Sequence, residues 1–290
     1  MRKFMKAIAA IMLMTAVLFF TGCNKPEDGP NNGNAAPTGA INGKYTINEE
    51  GDQVYFSKGN LCYSGGVWSF AEHPWDPCSY FSWATSGYAH GGNVVAPDGL
   101  SPGHPEDFYA YGDPDANLGD QTGKADWGYN RISNGGDREG LWRTPSCKEL
   151  RYIKYSRHTE SGILWAMATV DGMGGGMFFP DDWNVSVYSI NNPNPPRYEG
   201  KFEDNLISKE DWMNVLEPAG CVFFPAVGKI DAWHPDSGVL FWGSSGEYWT
   251  ASTNYEKVST MFLSSGLYGI DFGSQVRWAL NPVRLACDVK

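Results

Sequence analysis

The sequence predicts an α+β fold of small antiparallel sheets, two short helices and long loops, on three observations. Apolar runs of four to six residues recur between connections rich in Gly, Ser and Asn, the pattern of short strands separated by surface turns. At two places a Ser stands three residues before an acidic residue as helical apolar spacing begins, Ser146 with Glu149 and Ser208 with Asp211, which marks a helix start. The third observation is composition: 35 glycines and 14% aromatic residues in 290 require many turns and many rings to be placed.

The chain opens on a segment that does not belong to the fold. Arg2, Lys3 and Lys6 precede an apolar run from Ala7 to Phe20 that ends in Thr21-Gly22-Cys23, so residues 1–22 read as a secretory signal peptide. The run is too short to serve as a permanent membrane span. A Cys directly after a small residue resembles the acylation site of bacterial lipoproteins, which implies lipidation of Cys23 and a membrane contact through that anchor only. Residues 23–40 are rich in Asn, Pro and Gly with nothing to bury, a flexible tether. The pair Glu27-Asp28 resembles the signal that carries some outer-membrane lipoproteins to the cell surface, the location expected here. Residues 41–290 are then read as a single domain.

A formal charge of −11 with no Lys/Arg cluster argues against a nucleic-acid partner. Five cysteines remain after Cys23. Their number is odd and no CxxC spacing occurs, so free thiols are expected, with a Cys62–Cys78 bridge as the alternative.

In chain order, Gly43–Ile47 and Gln53–Ser57 flank a tight turn, and Leu61–Ser64 and Val67–Phe70 repeat the device around Gly65-Gly66, giving two hairpins. From His73 to Gly140 periodicity fades. The scattered Trp75, Phe81, Trp83, Phe108, Tyr109, Tyr111, Trp127 and Tyr129 suggest a long loop pinned by buried rings. Ser146 caps a helix over 147–153. Ala166–Val170 and Met177–Pro180 form a hairpin whose turn is expected to be Asp171–Gly176, and Ser208 caps a second helix to Leu216. Cys221–Pro225 echoes Met177–Pro180 as an apolar strand ended by Pro. In the last stretch, Glu247–Ser252, Val258–Leu263 and Val283–Cys287 read as strands between aromatic loops.

No HExxH, GxSxG or Walker motif is present, and the five histidines are scattered singly through loops, so neither a nucleophile nor a metal centre is nominated. Asp113-Pro-Asp115-Ala-Asn117 has the alternating oxygens that open a calcium loop. Leu118 and Lys124 stand where Gly and Glu belong, so an acidic turn is expected, with calcium as the alternative. Asp181-Asp182 is a further acidic pair, and nothing in the sequence nominates it for acid/base work. No cofactor is expected.

LWRTPSCKELRYI, GMFFPDDW, AGCVFFPAVG, GEYWTAST and the closing VRLA occur in an order that resembles exported bacterial lipoprotein domains of the C-type-lectin-like fold. That group is related to the formylglycine-generating-enzyme and sulfatase-modifying superfamily. The resemblance implies a single α+β domain with two short helices, a small twisted sheet and long irregular loops. The C-terminus also resembles the variable proteins of diversity-generating retroelements. By that resemblance Trp249, Phe262, Arg277, Val283 and Arg284 are scaffold, and Tyr255, Tyr268, Asp271, Trp278 and Asn281 are displayed to a ligand.

Trp, Tyr, Ser, Gly and Asn together are what recognition surfaces use. Trp142, Trp183, Trp212 and Trp249 are expected in the core, whereas Trp233, Trp242, Tyr255, Tyr268 and Trp278 lie in loop contexts. The expected function is therefore a lipid-anchored surface module, not an enzyme, that binds a protein or glycan through Trp233, Trp242, Tyr255, Tyr268, Asp271, Trp278 and Asn281. The alternatives are an enzyme on the same scaffold, of formylglycine-generating type or a hydrolase, and a structural component of a surface assembly.

Overall fold

The computed structural model describes residues 35–85, 117–119, 124–231 and 234–290; residues 1–22, Cys23, most of the tether, Asp113, Asp115 and Trp233 lie outside them. The strands are β1 (Tyr45–Thr46), β2 (Gln53–Phe56), β3 (Leu61–Ser64), β4 (Val67–Phe70), β5 (Trp165–Val170), β6 (Met173–Phe178), β7 (Leu206–Ile207), β8 (Val222–Pro225), β9 (Lys229–Ile230), β10 (Val239–Leu240), β11 (Ser245–Asn254), β12 (Lys257–Ser264), β13 (Gly269–Val276) and β14 (Ala286–Asp288). They form sheets of order β1-β2-β14, β3-β4, β7-β5-β6-β8, β9-β10 and β11-β12-β13. With two short helices this is a mixed α+β fold dominated by small sheets. Both N-terminal hairpins form as expected. The last strand closes on β2, so the two ends of the described fold share one sheet.

Helix α1 (Cys147–Tyr155) begins where the local chemistry directs it. Ser146 Oγ accepts from the Glu149 amide, and the Glu149 carboxylate accepts from the Ser146 amide at 2.6 Å, which satisfies two donors that a helix start leaves open. Arg143 grips both oxygens of the same carboxylate, at 2.9 and 2.7 Å, and reaches Asp288 of β14. The cap thus also ties the helix to the last strand. Ser146→Ala is expected to lower stability by about 1 kcal/mol, read as a shift of the urea midpoint at unchanged slope.

The second helix starts at its predicted cap, Ser208, whose side chain accepts from Asp211. It runs as α2 (Lys209–Asp211) and widens into a π-helical turn over Trp212–Leu216. That turn holds Trp212 and Leu216 fully buried.

Sequence and structure part company in three places. Gly174–Gly176 lie inside β6, and the turn is only Asp171-Gly172. These glycines give their neighbours room: a Cβ on Gly174 would overlap the Phe202 ring, and one on Gly175 would sit 2.5 Å from the Phe224 carbonyl. Residues 269–276 were expected as loop but form β13. Val283–Leu285 is not a strand; it runs beside the β2–β3 connection, where Val283 and Leu285 carbonyls accept from Leu61 and Ser57 at 2.9 Å. The strand echo has a direct meaning, because β6 and β8 pair with Phe178 opposite Val222.

The expected core tryptophans, Trp142, Trp183, Trp212 and Trp249, are all buried, and Phe81, Trp83 and Trp127 pin the described parts of the long segment after His73. Cys62, Cys78, Cys147, Cys221 and Cys287 are free thiols, and burial pushes Cys78 up to about 12. Among the described residues three arginines are buried, Arg157, Arg277 and Arg284. Arg157 pairs with Asp181 at 2.8 Å and donates to the carbonyls of Ile153, Leu164 and Phe179. Asp181 in turn accepts from the Thr46 amide and hydroxyl and from Gln53, which is a structural role. Arg284 donates to the Lys58 carbonyl and lies over the Phe224 ring; desolvation brings its guanidinium down to about 10.

Candidate functional site

The β11-β12-β13 sheet sets up the site through its register. Glu247, Phe262 and Asp271 stand directly opposite one another across the three strands, and opposed residues share one face of a sheet. Phe262, expected as scaffold, is half-buried and exposes its ring on that face, unlike Trp249, Arg277, Val283 and Arg284, which are buried. Tyr268, from the β12–β13 connection, meets the Phe262 ring edge-on at 5.4 Å. Tyr198 lies 5.8 Å from Tyr268 on its other side. Arg197 stacks over both tyrosines, at 4.7 Å from Tyr268 and 5.2 Å from Tyr198, and pairs with Asp271 at 3.4 Å.

Tyr268 is the shared wall of two cavities. One, of about 230 Å³, is lined by Lys229, Phe241, Glu247, Phe262 and Leu267 among others. Its floor carboxylate, Glu247, accepts from Lys229 at 3.1 Å, Thr260 at 2.9 Å and Gln275 at 3.1 Å. The second, of about 350 Å³, lies between the end of α1, the Asn194–Arg197 segment and β13. There Lys154 is buried, donating to the Ile270 carbonyl and the Tyr155 hydroxyl, with its ammonium over the Tyr155 and Trp165 rings. Desolvation brings that ammonium down to about 8.

Three exposed aromatic residues of this part of the chain hold left-handed backbone conformations: Tyr198 at φ 74°, Phe241 at φ 65° and Tyr255 at φ 54°. The left-handed region is uncommon for bulky residues and stores of order 1 kcal/mol or more at each. Phe241 lines the smaller cavity, and Tyr198 packs against Tyr268, the residue that lines both.

Of the expected ligand-binding residues, the structure brings Tyr268 and Asp271 together. Trp242 is exposed in the turn beside Phe241. Tyr255 is exposed at the tip of the β11–β12 hairpin, at the other end of an eight-residue strand and so roughly 25 Å from Tyr268. Trp278 is half-buried against Tyr80 and Leu280. Asn281, expected at the surface, is fully buried where its backbone bridges to Phe81, and so it is not displayed. Asn117 accepts from the Gly119 amide at 2.8 Å within a turn. Among the described residues no group of three metal-ligating side chains comes together, and no helix is long and apolar enough to cross a membrane. Sequence reasoning missed Lys154, Arg197 and Glu247. A usable signal existed, two basic-aromatic dipeptides, Lys154-Tyr155 and Arg197-Tyr198, each of which folds into a cation–π pair.

Fold and site together define a mixed α+β protein with a paired cavity around one tyrosine. No family model, curated protein or solved structure matches the chain.

Proposed function

We propose that the chain is a binding module of C-type-lectin-like architecture, exported and carried on a lipid at Cys23. On this reading it recognises a protein or glycan ligand through the surface around Tyr268. The observation that supports this is the pair of cavities sharing that ring, bordered by exposed aromatics in a strained backbone. An aromatic side chain at a left-handed position is a poor choice for stability, since Gly or Asn would relieve it. Keeping Phe241 and Tyr198 there makes sense if the rings are used. Rigid rings beside an arginine and half-buried carboxylates are also the usual composition of interface centres and sugar platforms.

Binding of the soluble domain, residues 35–290, to a glycan array and to extracellular protein extracts tests the reading. Tyr268→Ala is expected to weaken the ligand so found by about tenfold or more, in line with loss of a central aromatic contact. Phe241→Gly is expected to weaken binding while raising stability by up to about 1 kcal/mol. Binding that survives both changes would remove this surface from consideration.

A further inference from the structure

The larger cavity carries more positive charge than the chain around it. The protein has a formal charge of −11, yet Arg151 and Arg197 lie near enough to Lys154 to disfavour its charged form, and Asp271 is the carboxylate that favours it. Arg197 is half-exposed at the mouth and already shares Asp271. Arg151 lies over the Phe272 ring. Lys154 lines the wall at 5% exposure. An ammonium has three protons, and Lys154 finds two protein acceptors, the Ile270 carbonyl and the Tyr155 hydroxyl. A buried cation with donor capacity left over, in a cavity of small-ligand size, is an arrangement that an anion completes. The remaining walls are flat or apolar: Trp165, Tyr268, Pro195 and Pro196.

We infer that this cavity binds a carboxylated sugar, whose carboxylate accepts from Lys154 and Arg197 while its ring lies against Tyr268 and a hydroxyl donates to Asp271. Aromatic faces take the apolar face of a pyranose, and a charged pair fixes which end carries the acid. The inference rests on the surface around Tyr268 being a binding site, and it narrows the ligand to acidic glycans.

The geometry also sets a pH dependence. The groups facing the Lys154 ammonium are Tyr155 and Arg151 on its own helix, Asp271 on β13 and Arg197 across the cavity. Burial pushes the Tyr155 phenol up from its ordinary value, and arginines stay charged. With Lys154 near 8, an anionic ligand should be held fully below that value and released as pH rises through it. A neutral sugar should not respond.

Titration calorimetry with tetragalacturonate, sialyllactose and neutral maltotetraose at pH about 6.5 and about 9.5 tests this, on the wild type, Lys154→Met, Arg197→Gln and Tyr268→Ala. One or both acids should bind about tenfold or more tightly than maltotetraose at the lower pH, the size expected of a charge-assisted hydrogen bond. Most of that preference should vanish at the higher pH. Lys154→Met should remove the preference together with its pH response. Arg197→Gln, at an exposed position where folding is not at risk, should weaken the acid severalfold and shift the midpoint to higher pH, because the Arg197 charge helps to hold the Lys154 ammonium down. Which acid binds separates a uronate polymer from a sialylated glycan as the source. Equal affinity for acid and neutral sugar, or an acid preference untouched by pH and by both cation variants, overturns the inference. If maltotetraose binds and Tyr268→Ala abolishes it without any acid preference, the binding surface stands and the acidic ligand falls. If no sugar binds, the acidic ligand also falls, and only a protein ligand for the surface remains.

Discussion

Asp181→Ala is expected to lower the unfolding free energy by about 3–5 kcal/mol, because it strands a buried guanidinium. Arg157 has no solvent to turn to: its side chain is fully buried, and desolvation already pulls its pKa down. With the carboxylate gone, its partners are the carbonyls of Ile153, Leu164 and Phe179 and the Tyr45 ring at 5.0 Å, none of which carries a compensating charge. The same change frees the Thr46 amide, the Thr46 hydroxyl and Gln53, so β1 and β2 lose three of their hydrogen bonds to the segment that follows β6. Urea unfolding followed by tryptophan fluorescence measures the loss. The double variant Asp181→Ala with Arg157→Met should be less destabilised than Asp181→Ala alone, since the uncompensated charge leaves with the arginine. If the double variant is the weaker of the two, the cost lies in packing and not in charge.

Gly175→Ala is expected to cost about 2–3 kcal/mol, the upper part of the range for overpacking a core. The added methyl would run into the Phe223 ring and fall 2.5 Å from the Phe224 carbonyl. Phe223 and Phe224 belong to β8, the strand paired with β6 at this point. A ring alone could swing aside, but a carbonyl held in the sheet cannot move without breaking its pairing. Gly172→Ala is the contrast: nothing lies within 4 Å of its would-be Cβ, and its φ is +81°. Its loss should come from backbone strain alone, of about 1 kcal/mol, and thermal unfolding of the two variants should rank them in that order.

These cases show why some of this molecule can be read along the chain and some cannot. The helix caps are legible because donor and acceptor sit three residues apart, so Ser146 and Ser208 announce their helices. The Gly65-Gly66 hairpin is legible for the same reason. Strand β13 is not, because its outward positions are Asp271, Gly273 and Gln275 and its inward ones only Ile270 and Phe272 before the pattern lapses. The glycines of β6 look like a turn until the rings they make room for, Phe202 and Phe223, arrive from distant segments. The site is harder still. Tyr268 and Asp271 could be nominated as a polar-aromatic pair near the C-terminus. Lys154 is unremarkable on its helix and acquires its character from a carbonyl 116 residues away. Arg197 gains its meaning only when Asp271 and Tyr268 are set beside it. Phe262 and Asn281 exchange roles for a related reason, since burial is decided by which segment lies over a residue.

Arg277 carries one more consequence. Fully buried beneath the sheet, it stacks on Trp83 at 5.0 Å and donates to the backbone carbonyls of Tyr255 and Glu256. The hairpin tip is therefore held at Tyr255 by its main chain, while the Tyr255 side chain stands exposed. A library that randomises Tyr255 should return mostly folded members, with Gly and Asn tolerated best at this left-handed position. The tip is thus a place where new specificity can be written into this chain without rebuilding what supports it.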